Sequence, residues 1–384
     1  MPIHKCDIEQ FLELAKTHPV LDVRSPAEFK HAHFPGAYNL PLFSDEERNI
    51  VGTAYKQQSR EIAIKIGLDF FGPKMKQVIE ETESILNKPS ETIAQKKGNI
   101  STEDANHKLQ TTNHKLVLVH CWRGGMRSAA IAWLLDLYGF KVYTLSGGYK
   151  KFRHYVLETF KKPFHFKILG GYTGSAKTDL LKALMKKGEK VIDLEDLAKH
   201  KGSAFGNIGM PPQPSQEMFE NILALELLSF PPLASPYPPL ATPYSPIWLE
   251  DESQRIGQLN IPGDLWDNMR ESPVFFLDIP FEARLTHIVE EYGNLDRERL
   301  IAATERITKK LGHLDAKLAI SHLENGEIRE AFSILLRYYD RFYFKALHNR
   351  DAVHSLIHTI PCKSITPENA DLLVNLPVYL PEKD

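Results

Sequence analysis

The amino-acid sequence predicts an α/β protein with two parallel-sheet domains and a helical C-terminal part. Two stretches carry this prediction, because each joins an apolar strand, a glycine-bearing loop and a helix: Lys115 to Gly139 and Phe164 to Gly188. Strand and helix patterns go on alternating after the second stretch, which is typical of a mostly parallel sheet. The 384 residues are enough for two or three domains that each bury a core.

Composition narrows the function classes. Lys and Arg number 47 against 49 Asp and Glu, so the net charge of −2 gives no overall sign of nucleic-acid binding, and RNA contact would need local basic patches. The three cysteines, Cys6, Cys121 and Cys362, are far apart and odd in number, which favours a reducing compartment over a disulfide framework or a zinc knuckle. No signal core or membrane span is evident, so we expect a cytoplasmic protein without a membrane partner.

The first domain begins with a short amphipathic helix over residues 7–18 and strands over 19–23 and 37–39. A long insertion covers 43–114: residues 43–87 have helix periodicity, and the polar stretch 88–114 is predicted to be mobile. Part of the insertion is either a lid over Cys121 or only a helical surface: Gly52, Thr53, Tyr55, Lys56 and Gln57.

The loop after the strand 115–120 contains the candidate nucleophile, Cys121. Loop amides, the helix terminus and the side chains of Arg123 and Arg127 should all favour its thiolate, and Ser128 is a good N-cap type for the helix. The two guanidinium groups suit a phosphate-like oxyanion. The remaining residues of this candidate anion loop are Trp122, Gly124, Gly125 and Met126. A buried, inert cysteine at the end of a strand is the alternative.

Further residues of this half resemble the rhodanese family, an α/β fold whose cysteine carries a sulfur atom. The resemblance includes the Cys121 loop, the stretch 142–152 and an ordered set of N-terminal residues: Asp22, Arg24, Glu28, Phe29, His31, His33, Pro35, Gly36, Ala37 and Asn39. Five residues separate Cys121 from Arg127, whereas the corresponding loop of sulfurtransferase rhodaneses typically has the spacing Cys-x4-Arg. The longer spacing is similar to that of dual-specificity phosphatases, and it predicts a phosphate-shaped anion.

The second glycine-bearing loop resembles a P-loop in its spacing. Backbone amides would hold phosphates, Lys177 would reach a terminal phosphate, and Thr178 could bind Mg²⁺. Ala176 stands where glycine is usual. The phosphate-binding prediction covers Gly171, Thr173, Gly174, Ser175, Ala176, Lys177 and Thr178. A chance strand–loop–helix is the alternative, and whether the phosphates belong to a nucleotide stays open.

Acidic residues end two later strands of this domain, and the first of these strands is predicted to end at Asp193 and Glu195. They are candidates for holding Mg²⁺ or its water shell, or else for pairing with Lys177 or Arg255: Asp193, Glu250, Asp251 and Glu252. No metal site is certain from the sequence. The proline-rich stretch 229–246 is predicted to be a surface loop or spacer, because such a tract cannot form a central strand or a helix.

Residues from 295 to about 349 are predicted to be helical, with basic positions that either contact RNA or form a solvated face, and the tail at 364–377 is predicted to be a docked strand and helix. We therefore expect three regions: 1–160, 161–294 with the P-loop, and a helical region 295–384 packed on it.

Four motifs in this order resemble the tRNA 2-selenouridine synthase family over nearly the whole chain: CWRGGMRS, TGSAKT, DLEDLAKHKGSAFG and WLEDESQRIG. The resemblance implies replacement of sulfur by selenium at C2 of 2-thiouridine at the wobble position of tRNA. It implies an S-geranyl intermediate made from geranyl diphosphate, selenophosphate as the selenium donor and no tightly bound cofactor. The implied partner is the anticodon region of tRNA.

We expect the Cys121 thiolate to attack selenophosphate while Arg123 and Arg127 hold the departing phosphate, which leaves a cysteine-bound selenide. The P-loop would bind geranyl diphosphate. Two rivals remain: a rhodanese-fold phosphatase or sulfurtransferase fused to a kinase-like P-loop domain, and a non-catalytic binding module.

Overall fold

The computed structural model describes residues 3–87, 115–230, 246–350, 353–374 and 376. The chain divides into two compact units: the first is Met1–Glu158 with Glu220–Ile222, and the second is Thr159–Phe219 with Leu223–Asp384. The predicted mobile segment 88–114 and most of the proline-rich stretch lie outside the described residues. In the described ranges, no helix is both long and apolar enough to cross a membrane.

The first unit is built on a parallel sheet, which in the described part of the chain has five strands in the order β1-β5-β4-β2-β3. The strands are β1 (His4–Cys6), β2 (Val20–Asp22), β3 (Tyr38–Asn39), β4 (Leu116–His120) and β5 (Lys141–Leu145). Asp22 pairs in register with His120, so the ends of β2 and β4 lie side by side. Cys121, the residue after β4, therefore lies at the carboxyl edge of the sheet, where α/β proteins place ligand sites.

Helices cover this sheet. They are α1 (Ile8–Ala15), α2 (Pro26–His31), α3 (Asp45–Gln57), α4 (Arg60–Phe71), α5 (Met75–Asn87), α6 (Met126–Tyr138) and α7 (Gly148–Thr159). The insertion is helical as its periodicity predicts, and Ser44 and Ser59 cap α3 and α4 by accepting backbone N–H bonds. Residues such as Leu21, Val119 and Ile131 are fully buried between sheet and helices, and each stabilises the unit by roughly 1.5–3 kcal/mol.

The second unit contains another parallel sheet, with the order β12-β11-β6-β8-β7 among the described residues. Its strands are β6 (Phe166–Gly171), β7 (Lys190–Val191), β8 (Ile247–Glu250), β11 (Val274–Asp278) and β12 (Ile357–Pro361). A short antiparallel hairpin joins β9 (Arg255–Ile256) to β10 (Leu259–Asn260). β6 lies between β8 and β11, so the loop that follows β6 lies near the middle of the sheet edge.

The helices of the second unit follow the predicted alternation and then the predicted C-terminal helical part. They are α8 (Lys177–Lys186), α9 (Leu194–Ala198), α10 (Gln216–Leu228), α11 (Gly263–Arg270), α12 (Phe281–Tyr292), α13 (Arg297–Arg306), α14 (Thr308–Leu311), α15 (His313–Asn325), α16 (Ile328–Leu347), α17 (Val353–Leu356) and α18 (Asn369–Val374). Helices α12 to α16 share a core that includes Leu285, Leu300 and Leu335. The predicted fold class is confirmed.

Two local predictions are wrong. Ser128 does not open α6: the helix begins at Met126 with Gly125 as its N-cap, and Ser128 lies in its first turn. Asp193 does not end a strand, because β7 stops at Val191 and the Asp193 side chain caps α9 by accepting the N–H of Asp196. The Ser128 hydroxyl instead donates to the carbonyl of Gly125 over 3.1 Å, and the Asp193 carboxylate satisfies an N–H in the first turn of α9.

Candidate functional site

Cys121 is a buried thiol surrounded by hydrogen-bond donors. Its side chain is 3% exposed, the backbone N–H of Gly125 donates to its sulfur over 3.3 Å, and the hydroxyl of Ser128 lies 3.3 Å away. Burial raises the pKa of Cys121, but hydrogen bonds from Ser128 and from the backbone of Gly125 and Arg123 outweigh it, so the pKa lies below that of an ordinary thiol. The lowered pKa makes the nucleophilic thiolate form of Cys121 easier to reach than that of an ordinary cysteine.

The first turn of helix α7 holds the Cys121 loop in shape. The backbone N–H groups of Tyr149 and Lys150 donate to the carbonyls of Cys121 and Trp122 at 2.8 and 2.9 Å. Gly148, at φ +59°, lies so close that a Cβ there would overlap the carbonyl of Cys121 and the nitrogen of Gly124. Sequence reasoning missed Gly148, although the Gly-Gly pair at 147–148 was a visible signal.

The two arginines of the loop are placed differently. Arg127 forms an ion pair with Glu28 of α2 at 2.7 Å, and Arg48 of α3 lies 3.9 Å from the same carboxylate. Burial raises the pKa of Glu28, but its bonds to Arg127 lower it below the usual range, so this carboxylate stays charged. Arg123 is exposed, which leaves it available to an incoming anion. Trp122 and Met126 lie exposed in the same loop.

The buried polar residues next to the loop are structural. Arg24 bonds bidentately to Asp22, donates to the carbonyl of Ala32 and stacks on the ring of Tyr149. Burial lowers the pKa of His120, so this ring is neutral near pH 7. Of the proposed lid, Tyr55 is exposed on α3, and Arg48 of the same helix is the residue that approaches Glu28. The lid stays a prediction.

The P-loop joins β6 to α8, as the sequence predicts. Lys177 donates from Nζ to the carbonyl of Gly171 over 3.1 Å, and the Ser175 hydroxyl donates to the carbonyl of Tyr172. Ala176 adopts φ +53°, a left-handed conformation that glycine would take without strain, which explains why glycine is usual there. Gly174, at φ +83°, would place a Cβ 2.7 Å from Ile288.

Helices α16 and α12 hold this loop. The Tyr343 hydroxyl of α16 accepts the N–H of Gly171 over 3.1 Å and donates to Asp251 over 2.7 Å, and Asp251 is ion-paired with Arg350. Arg284 of α12 donates to the carbonyl of Thr173 at 3.0 Å and is held by Asp340 of α16 through two bonds of 2.8 Å. Sequence reasoning missed these contacts, because helix residues 172 and 111 positions away carry no local signal.

The acidic residues separate into two groups. Thr178 donates to Glu195 at 3.1 Å and to Glu250 at 3.2 Å, and carboxylate oxygens of Glu195, Glu250 and Glu252 lie within 4.8 Å of one another. Asp251 instead pairs with Arg350.

Arg255 donates to the carbonyl of Gly257, and no ion pair joins it to these acids in the part of the chain that the structure describes. The sequence pattern predicts Glu195 only as part of a strand end, yet its carboxylate lies with those of Glu250 and Glu252 in what we call the carboxylate cluster.

Burial and mutual repulsion shift the pKa values of the three clustered acids. Burial, then the charge of Glu195, raises the pKa of Glu252 to about 8, and the same causes raise that of Glu250. Burial also raises the pKa of Glu195, which the charge of Lys177 opposes. Three carboxylates and a hydroxyl are hard oxygen donors suited to Mg²⁺, and a cation would relieve this repulsion.

The P-loop and this carboxylate cluster face one cavity of about 750 Å³ in the second unit. The volume lies in the range of small-molecule sites, about 300–1,000 Å³. The geometry therefore gives two candidate anion sites, each within its own unit: the Cys121 loop, and the P-loop with candidate cation ligands.

Comparison with known proteins follows the same division. A family model for a rhodanese-like domain matches residues 7–155, and one for the tRNA 2-selenouridine synthase AAA domain matches residues 164–358. A tRNA 2-selenouridine synthase of Nitrosomonas europaea is 35% identical over 71% of this chain, which spans 63% of that relative's length. Relatives of the same name from Sulfurovum sp. and Bdellovibrio bacteriovorus are 32% and 31% identical; the alignments cover 85% and 86% of this chain and 87% and 89% of theirs. The chain belongs to the tRNA 2-selenouridine synthase family.

Proposed function

We propose that this protein replaces sulfur by selenium at C2 of 2-thiouridine in the wobble position of tRNA. Relatives named tRNA 2-selenouridine synthase support this substrate and product. The observation that carries the proposal is the pairing, in one chain, of a hydrogen-bonded cysteine sulfur with a separate P-loop beside a large cavity. A two-step exchange needs two such sites.

The first step activates the sulfur, because a thiocarbonyl sulfur is a poor leaving group. The C2 sulfur attacks C1 of geranyl diphosphate; the new C–S bond forms as the C–O bond breaks, and diphosphate leaves with the electron pair. Loss of the N3 proton gives a neutral S-geranyl base. We assign this step to the P-loop, where Lys177 and the loop amides would stabilise the departing diphosphate.

A divalent cation fits this site. Thr178, Glu195, Glu250 and Glu252 would hold Mg²⁺, which supplies positive charge to a diphosphate. Without a cation the raised pKa values keep protons on the cluster, so ion binding would release them. The protein's own contribution is to orient the carboxylates through the Thr178 hydroxyl.

The second step concerns Cys121, and electron balance replaces the cysteine-bound selenide expected from the sequence. Transfer of selenium from selenophosphate to the Cys121 sulfur would leave the P–Se electron pair on phosphorus and release phosphite, not phosphate. Addition of the selenium to C2, with geranylthiol leaving, needs no oxidant. Cys121 then attacks phosphorus, the P–Se pair stays on selenium, and water hydrolyses the cysteinyl phosphate.

The loop suits this role. Arg123 and the backbone N–H groups of the loop would hold the phosphoryl oxygens, and the Ser128 hydroxyl would stabilise the thiolate as nucleophile and as leaving group. Release of Arg127 from Glu28 would add a second guanidinium.

The test is mass spectrometry of tRNA nucleosides after incubation with the protein, geranyl diphosphate, selenophosphate and Mg²⁺. Cys121→Ser should still produce S-geranylated nucleoside but no selenouridine, while Lys177→Ala should lose geranylation and still convert tRNA that is already geranylated. Cys6→Ser, a buried thiol outside the loop, is the matched control and should behave as wild type. Normal selenouridine formation by Cys121→Ser would contradict the proposal.

A phosphatase is the second candidate, and the five-residue spacing between Cys121 and Arg127 favours it. It predicts that the protein alone releases phosphate from an aryl phosphate at a rate that Cys121→Ser abolishes. The selenation proposal predicts dependence on geranylated tRNA instead.

A further inference from the structure

Cys121 is the buried member of a loop whose following residues are exposed. The thiol is 3% exposed, whereas each of the residues 122–126 faces solvent. A substrate that reaches the sulfur must pass these five residues. Their chemistry therefore decides which molecules can approach the nucleophile.

Trp122 is the aromatic residue of this exposed segment, and it is held in place. Its carbonyl accepts the N–H of Lys150 over 2.9 Å, and its ring centre lies 5.7 Å from that of Tyr149 at an angle of 37°. Tyr149 is fully buried and anchors the indole, yet Trp122 is still 37% exposed. A fixed indole with an open surface suits stacking by a flat ring such as a nucleobase.

Cations lie on both sides of this indole along the loop and the helix that holds it. Arg123 follows Trp122 in the chain, and Lys150 and Lys151 lie in the first turn of α7, which contains no acidic residue. All three are exposed, and within the described ranges none of them forms an ion pair. They are therefore available to a polyanion.

Glycine packing keeps Lys151 next to the Cys121 loop. A Cβ at Gly147 would lie 2.9 Å from that of Lys151, and a Cβ at Gly124 would lie 3.1 Å from the nitrogen of Gly147. The Lys151 side chain thus starts close to the loop glycines that follow Trp122. Because the net charge of the whole chain is −2, these lysines form a local basic patch and not part of a general one.

An aromatic ring beside unpaired cations matches single-stranded RNA better than a duplex or a protein. In single strands, phosphates bind lysine and arginine while bases stack on aromatic rings. A base inside a duplex is covered on both faces by its neighbours, whereas a loop nucleotide can be turned out. A protein partner would favour a continuous apolar patch, but Arg123 and two glycines separate Trp122 from Met126.

We propose that the uracil ring of the wobble nucleotide stacks on Trp122 and that Lys150 and Lys151 bind the phosphates beside it. This inference rests on the proposed function and names the residues that hold the anticodon loop at the first unit. Trp122 acts in binding and not in the chemical step. Its loss should therefore raise the KM for tRNA more than it lowers kcat.

The test measures the affinity of the full chain for an anticodon stem–loop RNA that carries 2-thiouridine, at several salt concentrations. Trp122→Ala should weaken binding by about tenfold, as expected for one stacked base, and leave the salt dependence unchanged. Trp122→Phe should retain most of the affinity. The same RNA without its wobble base should bind equally to the wild type and to Trp122→Ala. Trp133→Ala changes a 51% exposed tryptophan of α6 and is the matched control, which should bind as wild type does.

Lysine variants test the phosphate contacts. Lys150→Ala and Lys151→Ala should each lower the slope of log affinity against log salt by about 0.7, the value for one phosphate of a single strand. Each should weaken the RNA with and without the wobble base alike, since phosphate contacts carry no base identity. Lys65→Ala, which changes an exposed lysine of α4, should keep the wild-type slope.

Three outcomes would overturn the inference: no binding of the stem–loop to the wild type, equal affinity in Trp122→Ala and Trp133→Ala, or a wild-type salt slope in both α7 lysine variants. A loss in Trp122→Ala that persists without the wobble base would also contradict stacking, because Trp122 would then only shape the loop. Formation of selenouridine from geranylated tRNA and selenophosphate judges the proposed function separately. If the wild type forms it while all variants bind normally, only this inference fails. If the wild type binds the stem–loop as described but forms none, the proposed function fails and the RNA surface stands.

Discussion

The hydroxyl oxygen of Ser128 lies 3.3 Å from the sulfur of Cys121 and 3.1 Å from the carbonyl oxygen of Gly125. Ser128 is 2% exposed, so this contact is shielded from water. A hydrogen bond in such surroundings stabilises a thiolate more than it would at the surface. The helix therefore places one hydroxyl group between the sulfur and the Gly125 carbonyl, in addition to its backbone N–H groups.

Ser128→Ala should raise the pKa of Cys121 and slow its alkylation near neutral pH. The reason is that burial, which raises this pKa, would then be opposed by backbone N–H groups alone. The measurement is the rate of iodoacetamide reaction against pH, followed by mass spectrometry of the Cys121 peptide.

Ser146→Ala is the control, because Ser146 is an exposed serine near the loop, and it should leave the profile unchanged. An unshifted profile in Ser128→Ala would mean that the backbone alone sets the pKa of Cys121.

Gly148→Ala should destabilise the first unit and distort the Cys121 loop. Gly139 offers a matched position, since both glycines have positive φ but a Cβ at Gly139 would meet nothing within 4 Å. Gly139→Ala should cost about 1–2 kcal/mol of unfolding free energy from backbone strain. Gly148→Ala should cost about 1–3 kcal/mol more, because its Cβ also overlaps the loop. Denaturant unfolding measures the free energy of unfolding of both variants. Equal losses of this free energy would show that the Cys121 loop moves to accommodate the Cβ without cost.

Glu252 should make stability depend on pH when no divalent cation is present. Its pKa in the folded chain is about 8 against an ordinary 4.5, so the folded state holds this proton to a higher pH than the unfolded state does. The contribution of protonated Glu252 to the free energy of unfolding is therefore fully present below about pH 4.5 and is lost as the pH rises to about 8. Thermal unfolding in EDTA across this range measures the decline.

Glu252→Gln should flatten that decline, because the amide does not titrate, and Mg²⁺ should stabilise the wild type more at high pH than at low pH. Asp371→Asn, which changes an exposed acid on α18, is the control and should keep the wild-type profile. A Mg²⁺ effect of the same size at every pH would argue against proton displacement from the cluster.

Local sequence was enough to predict both anion loops. The apolar run before Cys121 and that before Gly171 form central strands, so each loop lies at a carboxyl edge between parallel neighbours. Strand–loop–helix patterns carry this information within about 25 residues. Ala176 differs from the glycine that is usual at this position of a P-loop, but it adopts the left-handed backbone conformation that glycine would have.

The remaining parts of the sites could not be predicted, because they come from distant segments. Arg127 pairs with Glu28 from a helix 99 residues earlier, and Tyr343 reaches Gly171 from 172 residues later. A single sequence does not say which helix covers which loop. Glu195 was overlooked for a local reason: the strand before it is only two residues long, which shifts the acid from a strand end into α9.

Tyr343→Phe should test whether α16 holds the P-loop in its binding conformation. Loss of the hydroxyl leaves the buried N–H of Gly171 without its partner and removes a donor to Asp251, which should cost about 1–3 kcal/mol of unfolding free energy. Pyrophosphate affinity should fall as well, since the first residue of the loop becomes free to move. Tyr338→Phe, a buried tyrosine of the same helix that does not line the cavity, should keep wild-type pyrophosphate affinity. Equal pyrophosphate affinity in the two variants would show that the loop keeps its shape without α16.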